Sequence, residues 1–215
     1  MKEDVIMLKK ILLLSFILLM LSSFSYAAEE MSIIGAYDRV PGQPFTYDGK
    51  QVEIVEFLSF YCGHCYHFER SIPIIKGNFP KKIKWKTVPI FWGKGSPKPG
   101  EAYLIALDEG KGEQMKKALF DAVFIEKQDI GNLEVLESIG MKIGLGFDFS
   151  KKLRGGEKEK AAKEAIDLAG SYGVNETPSL IIAGNIRTSP GKVNSNVDLM
   201  RDNTILILKS IFNKK

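Results

Sequence analysis

Cysteine and histidine are scarce in this 215-residue chain, two of each, and the scarcity excludes whole classes of protein. A small disulfide-stapled scaffold needs several cysteine pairs and is ruled out. Long blocks of one charge are missing as well: 30 Lys and Arg stand against 26 Asp and Glu, a formal net charge of +4. The lysines are spread along the chain, so no nucleic-acid footprint is expected. There is no internal repeat, and no G-x-G-x-x-G follows a strand-like run, so the glycines read as loop punctuation rather than phosphate loops. What is present is 45% hydrophobic and 26% charged, the profile of one globular domain long enough to bury a core.

One apolar run stands apart, from Ile11 to Leu21 with only Ser15 interrupting it. Met7-Leu8-Lys9-Lys10 precede it and Ser25-Tyr26-Ala27 follow, the order of a basic region, a short apolar region and a small-residue cleavage site. An uncleaved anchor is the alternative, but a span takes about 20 apolar residues, and Ser22, Ser23 and Ser25 end the run early. Residues 1–27 are therefore expected to be a cleaved signal peptide, with Met7 a second candidate start. Residues 28–215 are expected to form the domain that works outside the cytoplasm.

Both cysteines fall within four residues, CGHC at Cys62 to Cys65 inside VEFLSFYCGHCYHFER. A stapling disulfide constrains the unfolded chain more as the closed loop lengthens. A bridge across two residues closes a tiny loop, so this pair is placed for thiol–disulfide chemistry. Upstream, Val52–Ser59 (VEIVEFLS) is rich in β-branched and aromatic residues and apolar on both faces, which predicts a buried central strand. Downstream, Phe68, Ile72 and Ile75 recur at helical steps, with Pro73 predicting a kink. Cys62 thus stands where a strand gives way to a helix, facing unpaired N–H groups and the positive end of the dipole, and both favour thiolate. Zinc is the rival reading: CGHCYH offers Cys62, Cys65 and His64 or His67, and an Asp or Glu would have to complete the four ligands.

Farther along, VNETPSLII (Val174 to Ile182) sets a Thr-Pro step before an apolar run. Pro178 is either an ordinary trans proline at a loop-to-strand junction or a cis one. Gly184-Asn185 predicts a tight turn, joining strands at about Ser179–Ala183 and Ile186–Ser189. Ile83–Pro89 alternates as a strand should, about 97–170 reads as helix-rich, Glu157–Val174 as a helix returning to the sheet, and Asn196–Asn213 as a closing helix.

VEFLSFYCGHCYHFE together with ETPSLIIAGN resembles the exported DsbA-type thiol–disulfide oxidoreductases, in element order over residues 33–213. The resemblance implies an α/β fold, a thioredoxin-like mixed sheet with a helical insertion. It also implies a cis Thr177-Pro178 bond beside the motif, and a periplasmic monomer that introduces disulfides into other proteins. The implied partners are unfolded, thiol-bearing exported polypeptides and a quinone-linked membrane reoxidase of the DsbB type. No cofactor is implied beyond a Cys62–Cys65 redox disulfide, and no metal. Two positions depart from the family pattern: Gly63-His64 replaces Pro-His between the cysteines, and Thr177 stands where many oxidants carry Val and isomerases carry Thr. An isomerase or reductase of the same fold is therefore the second reading, although the roughly thirty mature residues ahead of the motif are too few for an isomerase's dimerisation domain. A non-enzymatic zinc or peptide-holding module is a distant third.

Within this resemblance Cys62 is the attacking and attacked sulfur and Cys65 the resolving one. His64 stabilises the Cys62 thiolate through its imidazole, or else is an exposed turn residue. His67 has no evident partner and is expected at the surface. Glu56 places an acid on the strand face of Val52, Ile54 and Leu58: either a lysine neutralises it or, as the resemblance implies, it exchanges a proton with Cys65. Thr177 and Pro178 form the substrate-binding loop. Phe91-Trp92 either lines a substrate groove or packs beneath its loop.

Overall fold

The computed structural model describes residues 33–93 and 95–213; the expected signal peptide lies outside them. The chain runs β1 (Asp38–Arg39), β2 (Val52–Leu58), α1 (Gly63–Phe68), α2 (Ser71–Asn78), β3 (Ile83–Pro89), α3 (Lys98–Asp108), α4 (Gly112–Phe124), α5 (Leu133–Lys142), α6 (Phe147–Gly155), α7 (Glu159–Ser171), β4 (Ser179–Ile182), β5 (Ile186–Thr188) and α8 (Val197–Phe212). A short 3-10 turn, Pro190–Val193, links β5 to α8. The strands form one mixed sheet in the order β1-β5-β4-β2-β3, with β2 and β3 parallel and the other neighbours antiparallel.

β2 lies inside the sheet, and its two faces feed different cores. Phe57 packs with Val88, Ile181, Ala165 and Ala169, under α7. Leu58 joins Phe60, Cys65 and residues of α3 to α6 such as Tyr103, Leu119, Phe120 and Leu136. The helices between β3 and β4 thus share one apolar interior with the CGHC segment. Burying a large apolar side chain there is worth about 1.5–3 kcal/mol, so motif and inserted helices are held together by packing.

The helix after the motif is broken rather than kinked. α1 ends at Phe68, Glu69 and Arg70 intervene, and α2 starts at Ser71. Pro73 then sits in the first turn of α2, where its missing N–H would have had no intrahelical acceptor; within one continuous helix its ring would have met the Glu69 carbonyl. α8 begins where Asn196 accepts from the N–H groups of Asp198 and Leu199 at 2.9 and 3.0 Å, an N-cap that sets the helix start.

Candidate active site

Cys62 is the residue before the first turn of α1, with extended backbone. It is half-buried, and its thiol donates to the Thr177 carbonyl at 3.2 Å. Its pKa is pulled down to about 5 by the hydrogen bond from the Cys65 thiol, by the Thr177 side chain, and by the backbone N–H groups of Cys65 and His64, against burial that pushes it up. Each of these groups donates to a thiolate, which is why the charged form gains. Cys65, one turn in, is fully buried. Burial drives its pKa well up, and the hydrogen bond and charge of Cys62 add to the rise. Both cysteines are free thiols here, so this is the dithiol form of the pair.

Two halves of the chain meet at Cys62. The Thr177-Pro178 bond is cis, and both residues are buried beside the motif. Glu176 anchors that loop: its Oε1 accepts from Ser189 Oγ at 2.5 Å and from the Gly191 N–H at 3.2 Å, while its carbonyl accepts from Ser179 Oγ at 2.8 Å. Gly191 is required for this contact, since a Cβ there would fall 2.5 Å from Glu176 Oε1.

Glu56 is fully buried on β2. Its Oε2 accepts from Trp85 Nε1 at 2.9 Å and Thr87 Oγ1 at 3.3 Å, both on β3, and its Oε1 has no hydrogen-bond partner among the described residues. Register explains the first contacts, for Glu56 faces Thr87 directly and Ile54 faces Trp85. Burial raises the Glu56 pKa, opposed by the charge of Lys116 and by these two hydrogen bonds. Lys116, on α4, is 2% exposed and lies 3.0 Å from Glu69 and 3.4 Å from Glu113. Burial works against its charge, but Glu56, Glu69 and Glu113 outweigh it and hold the ammonium firmly protonated. Glu69 is pushed up to about 7 by burial and by the charge of Glu56, with Lys116 opposing.

Of the residues singled out from sequence, Cys62, Cys65, Thr177 and Pro178 come together. Glu56 bonds to β3 rather than to Cys65. His64 and His67 are exposed; His64 meets Cys62 through its backbone, and His67 packs its ring on Tyr66 at 5.3 Å. Among the described residues no group of three or more His, Cys, Asp or Glu is arranged to hold a metal ion, so the zinc reading finds no ligand set there. Sequence reasoning did not name Lys116, Glu69, Trp85, Thr87 or Glu176. Lys116 carried a readable signal: it shares a helix face with Leu119 and Phe120, the same charge-among-apolar cue that marked Glu56.

A profile of the DSBA-like thioredoxin domain matches residues 53–202. The chain is 26% identical over 208 residues to the thiol:disulfide interchange protein DsbA of Pseudomonas aeruginosa PAO1, covering 92% of this chain and 95% of that one. It is 28% identical over 149 residues to the protein of the same name from Azotobacter vinelandii, 69% of each. Among solved structures, a single-substitution variant of Pseudomonas aeruginosa DsbA superposes with a TM-score of 0.69 at 20% identity, over 84% of this chain and 98% of that one. A Proteus DsbA solved with a non-covalently bound peptide gives 0.63 at 17% identity, over 86% and 97%.

Proposed function

The chain belongs to the DSBA-like thioredoxin domain family, and from that membership we propose that it is the donor of disulfides to exported polypeptides, acting through Cys62 and Cys65. The observation that carries the proposal is the placement of the two sulfurs within CGHC: Cys62 partly exposed just before the first turn of α1, where hydrogen-bond donors lower its pKa, and Cys65 fully buried, where burial raises it. In the oxidised protein a substrate thiolate attacks Cys62 Sγ. The Cys62–Cys65 bond breaks, the electron pair leaves on Cys65, and a substrate–Cys62 mixed disulfide forms. A second substrate thiolate then attacks the substrate sulfur of that bond and releases Cys62 as thiolate. Two electrons have passed to the protein, and the substrate holds a new disulfide. The low pKa of Cys62 makes it a good leaving group in this last step.

Following the family resemblance, the proton taken up by Cys65 is assigned to Glu56, a fully buried carboxyl whose pKa burial raises and whose Oε1 makes no hydrogen bond among the described residues. Thr177 binds substrate by main-chain pairing on the loop before β4. Reoxidation is assigned to a quinone-linked membrane partner of the DsbB type, and the site of action to the periplasm. Among the described residues no helix is long and apolar enough to cross a membrane, consistent with a domain that meets such a partner from outside the bilayer. Support for the peptide-like substrate comes from the related Proteus protein, which was solved with a peptide.

The isomerase reading retains one specific observation, a threonine, Thr177, immediately before Pro178 with its carbonyl 3.2 Å from Cys62 Sγ. Equilibrating the dithiol with glutathione separates the two. An oxidant equilibrates near −120 mV, about 60 mV above a disulfide isomerase and about 150 mV above thioredoxin. It also oxidises reduced, unfolded ribonuclease stoichiometrically within minutes. A potential near that of thioredoxin would overturn the donor assignment.

A further inference from the structure

Beside Cys62 lies an open cleft of about 410 Å³ whose walls are Ser59, Tyr61, Cys62, Trp92, Gly95 and Thr177. Trp92 is 43% exposed and Tyr61 38%. Most other exposed apolar side chains lie on helices: Ile74 on α2, Leu107 on α3, Leu199 and Leu206 on α8. These two aromatics instead flank the reacting sulfur. The wall is built rather than loose. The Gly95 N–H donates to the Trp92 carbonyl at 3.0 Å. A Cβ at Gly95 would come within 3.2 Å of Phe91 Cβ and the Trp92 carbonyl, so a side chain there would have to press the turn that presents the indole aside by a few tenths of an ångström. An indole at a loop tip costs solvation of apolar surface, and Trp and Tyr are the side chains that most often anchor a partner.

We propose that Tyr61 and Trp92 form a side-chain subsite that selects substrates carrying a bulky apolar or aromatic residue next to the reacting cysteine. This rests on the exchange reading above and names the substrate class it prefers. The geometry forces the encounter. In the mixed disulfide the two bridged Cα atoms stand about 4.4–6.8 Å apart, and the next substrate Cα is only about 3.8 Å farther along. Cys62 is itself part of the cleft wall, so the side chain of one neighbour of the substrate cysteine must enter or skirt it. A glycine neighbour leaves the indole and phenol wet. A leucine or phenylalanine neighbour removes that surface from water while the sulfurs are joined, so the gain falls on the reacting complex.

The test uses the full oxidised chain and short dithiol peptides in which the attacking cysteine is flanked by Gly, Lys, Leu or Phe, reading the second-order rate of protein reduction. Leu- and Phe-flanked peptides should react about tenfold faster than Gly- or Lys-flanked ones. That ratio should fall to near one in Trp92→Ala and persist in Trp92→Phe. Equal rates across the panel, a preference for Lys, or a ratio that Trp92→Ala leaves intact would each overturn the subsite while leaving thiol exchange standing. Failure of every peptide to reduce the protein would instead sink the exchange reading itself.

Discussion

Cys62 and Cys65 lie three residues apart at the start of one short helix, the first just ahead of it and the second inside it, yet their surroundings share little. Around Cys62 are a carbonyl at 3.2 Å, two backbone N–H groups, a hydroxyl-bearing side chain and open solvent. Around Cys65 are Leu58, Phe60, Phe120 and other buried apolar groups. The chemistry of the two side chains is identical, so the contrast is set by surroundings: hydrogen-bond donors at the helix start favour the thiolate of Cys62, and burial keeps the proton on Cys65. The same contrast separates the charges. Arg70–Asp198 and Lys84–Glu53 sit largely in water and contribute little, whereas Glu56, Glu69 and Lys116 interact in an interior that screens them poorly.

The largest expected effect concerns the sulfurs themselves. At pH 6 a thiol titrating near 5 is mostly thiolate, while one above 9 is ionised to about 0.1% or less. Alkylation of the reduced protein at that pH should therefore favour Cys62 over Cys65 by about a thousandfold, read by mass spectrometry of the labelled peptides. Comparable labelling of the two would erase the contrast. Given a disulfide-bearing peptide, Cys65→Ser should accumulate a mixed disulfide, its Cys62 thiolate displacing one peptide sulfur as thiolate with no Cys65 to resolve the product, and Cys62→Ser should form none.

Next is the buried charge. Lys116→Met removes the ammonium from between Glu56 and Glu69 while keeping the length of the side chain. Stripping one partner from a buried pair costs about 3–5 kcal/mol, and here the cost should depend on pH. A carboxyl raised from 4.5 to about 7 holds its proton in the folded protein over a window where the unfolded chain has released it. The folded state is thus favoured below 4.5, and that contribution is lost as pH rises through 7. At pH 5 Glu69 is protonated and loses little with the lysine. At pH 8 it is ionised and loses its counter-charge. Denaturant unfolding at both pH values should show most of the destabilisation at pH 8, and an equal loss at the two would mean that Lys116 acts through packing alone.

How far these contrasts were legible in the sequence depends on whether they are local. β2, the whole of β3, the hairpin around Gly184-Asn185 and the closing helix were readable because apolar period and turn chemistry act over a few residues. The break at Glu69–Arg70 was not, since a kink and a fresh helix start both satisfy Pro73 and packing decides between them. Lys116 and Glu176 were missed for a related reason. Lys116 draws its partners from β2, the break after α1 and its own helix, and Glu176 bonds to residues thirteen and fifteen positions on, so only the folded chain shows what each is for.

The smallest expected effects compare two neighbours of Cys62, Thr177 and His64. Thr177 is buried and bonds the sulfur directly, whereas the His64 ring is exposed and only its backbone N–H reaches Cys62. A hydrogen bond to a charged group is worth about 1.5–3 kcal/mol, so Thr177→Val, which deletes the hydroxyl at nearly constant volume, should raise the Cys62 titration midpoint by about one unit. His64→Ala leaves the backbone donor in place and removes a side chain that acts, when protonated, through water. A cation favours the thiolate, so its loss should also raise the midpoint, but by only a few tenths of a unit, because exposed charges are screened. Salt separates the mechanisms: the His64→Ala shift should vanish at 1 M salt, where the screening length is about 3 Å, and the Thr177→Val shift should survive. Titrating thiolate absorbance in both variants at low and high salt gives the answer. A His64→Ala shift that exceeds that of Thr177→Val and resists salt would place the imidazole in direct contact with the sulfur and reverse the order of the two.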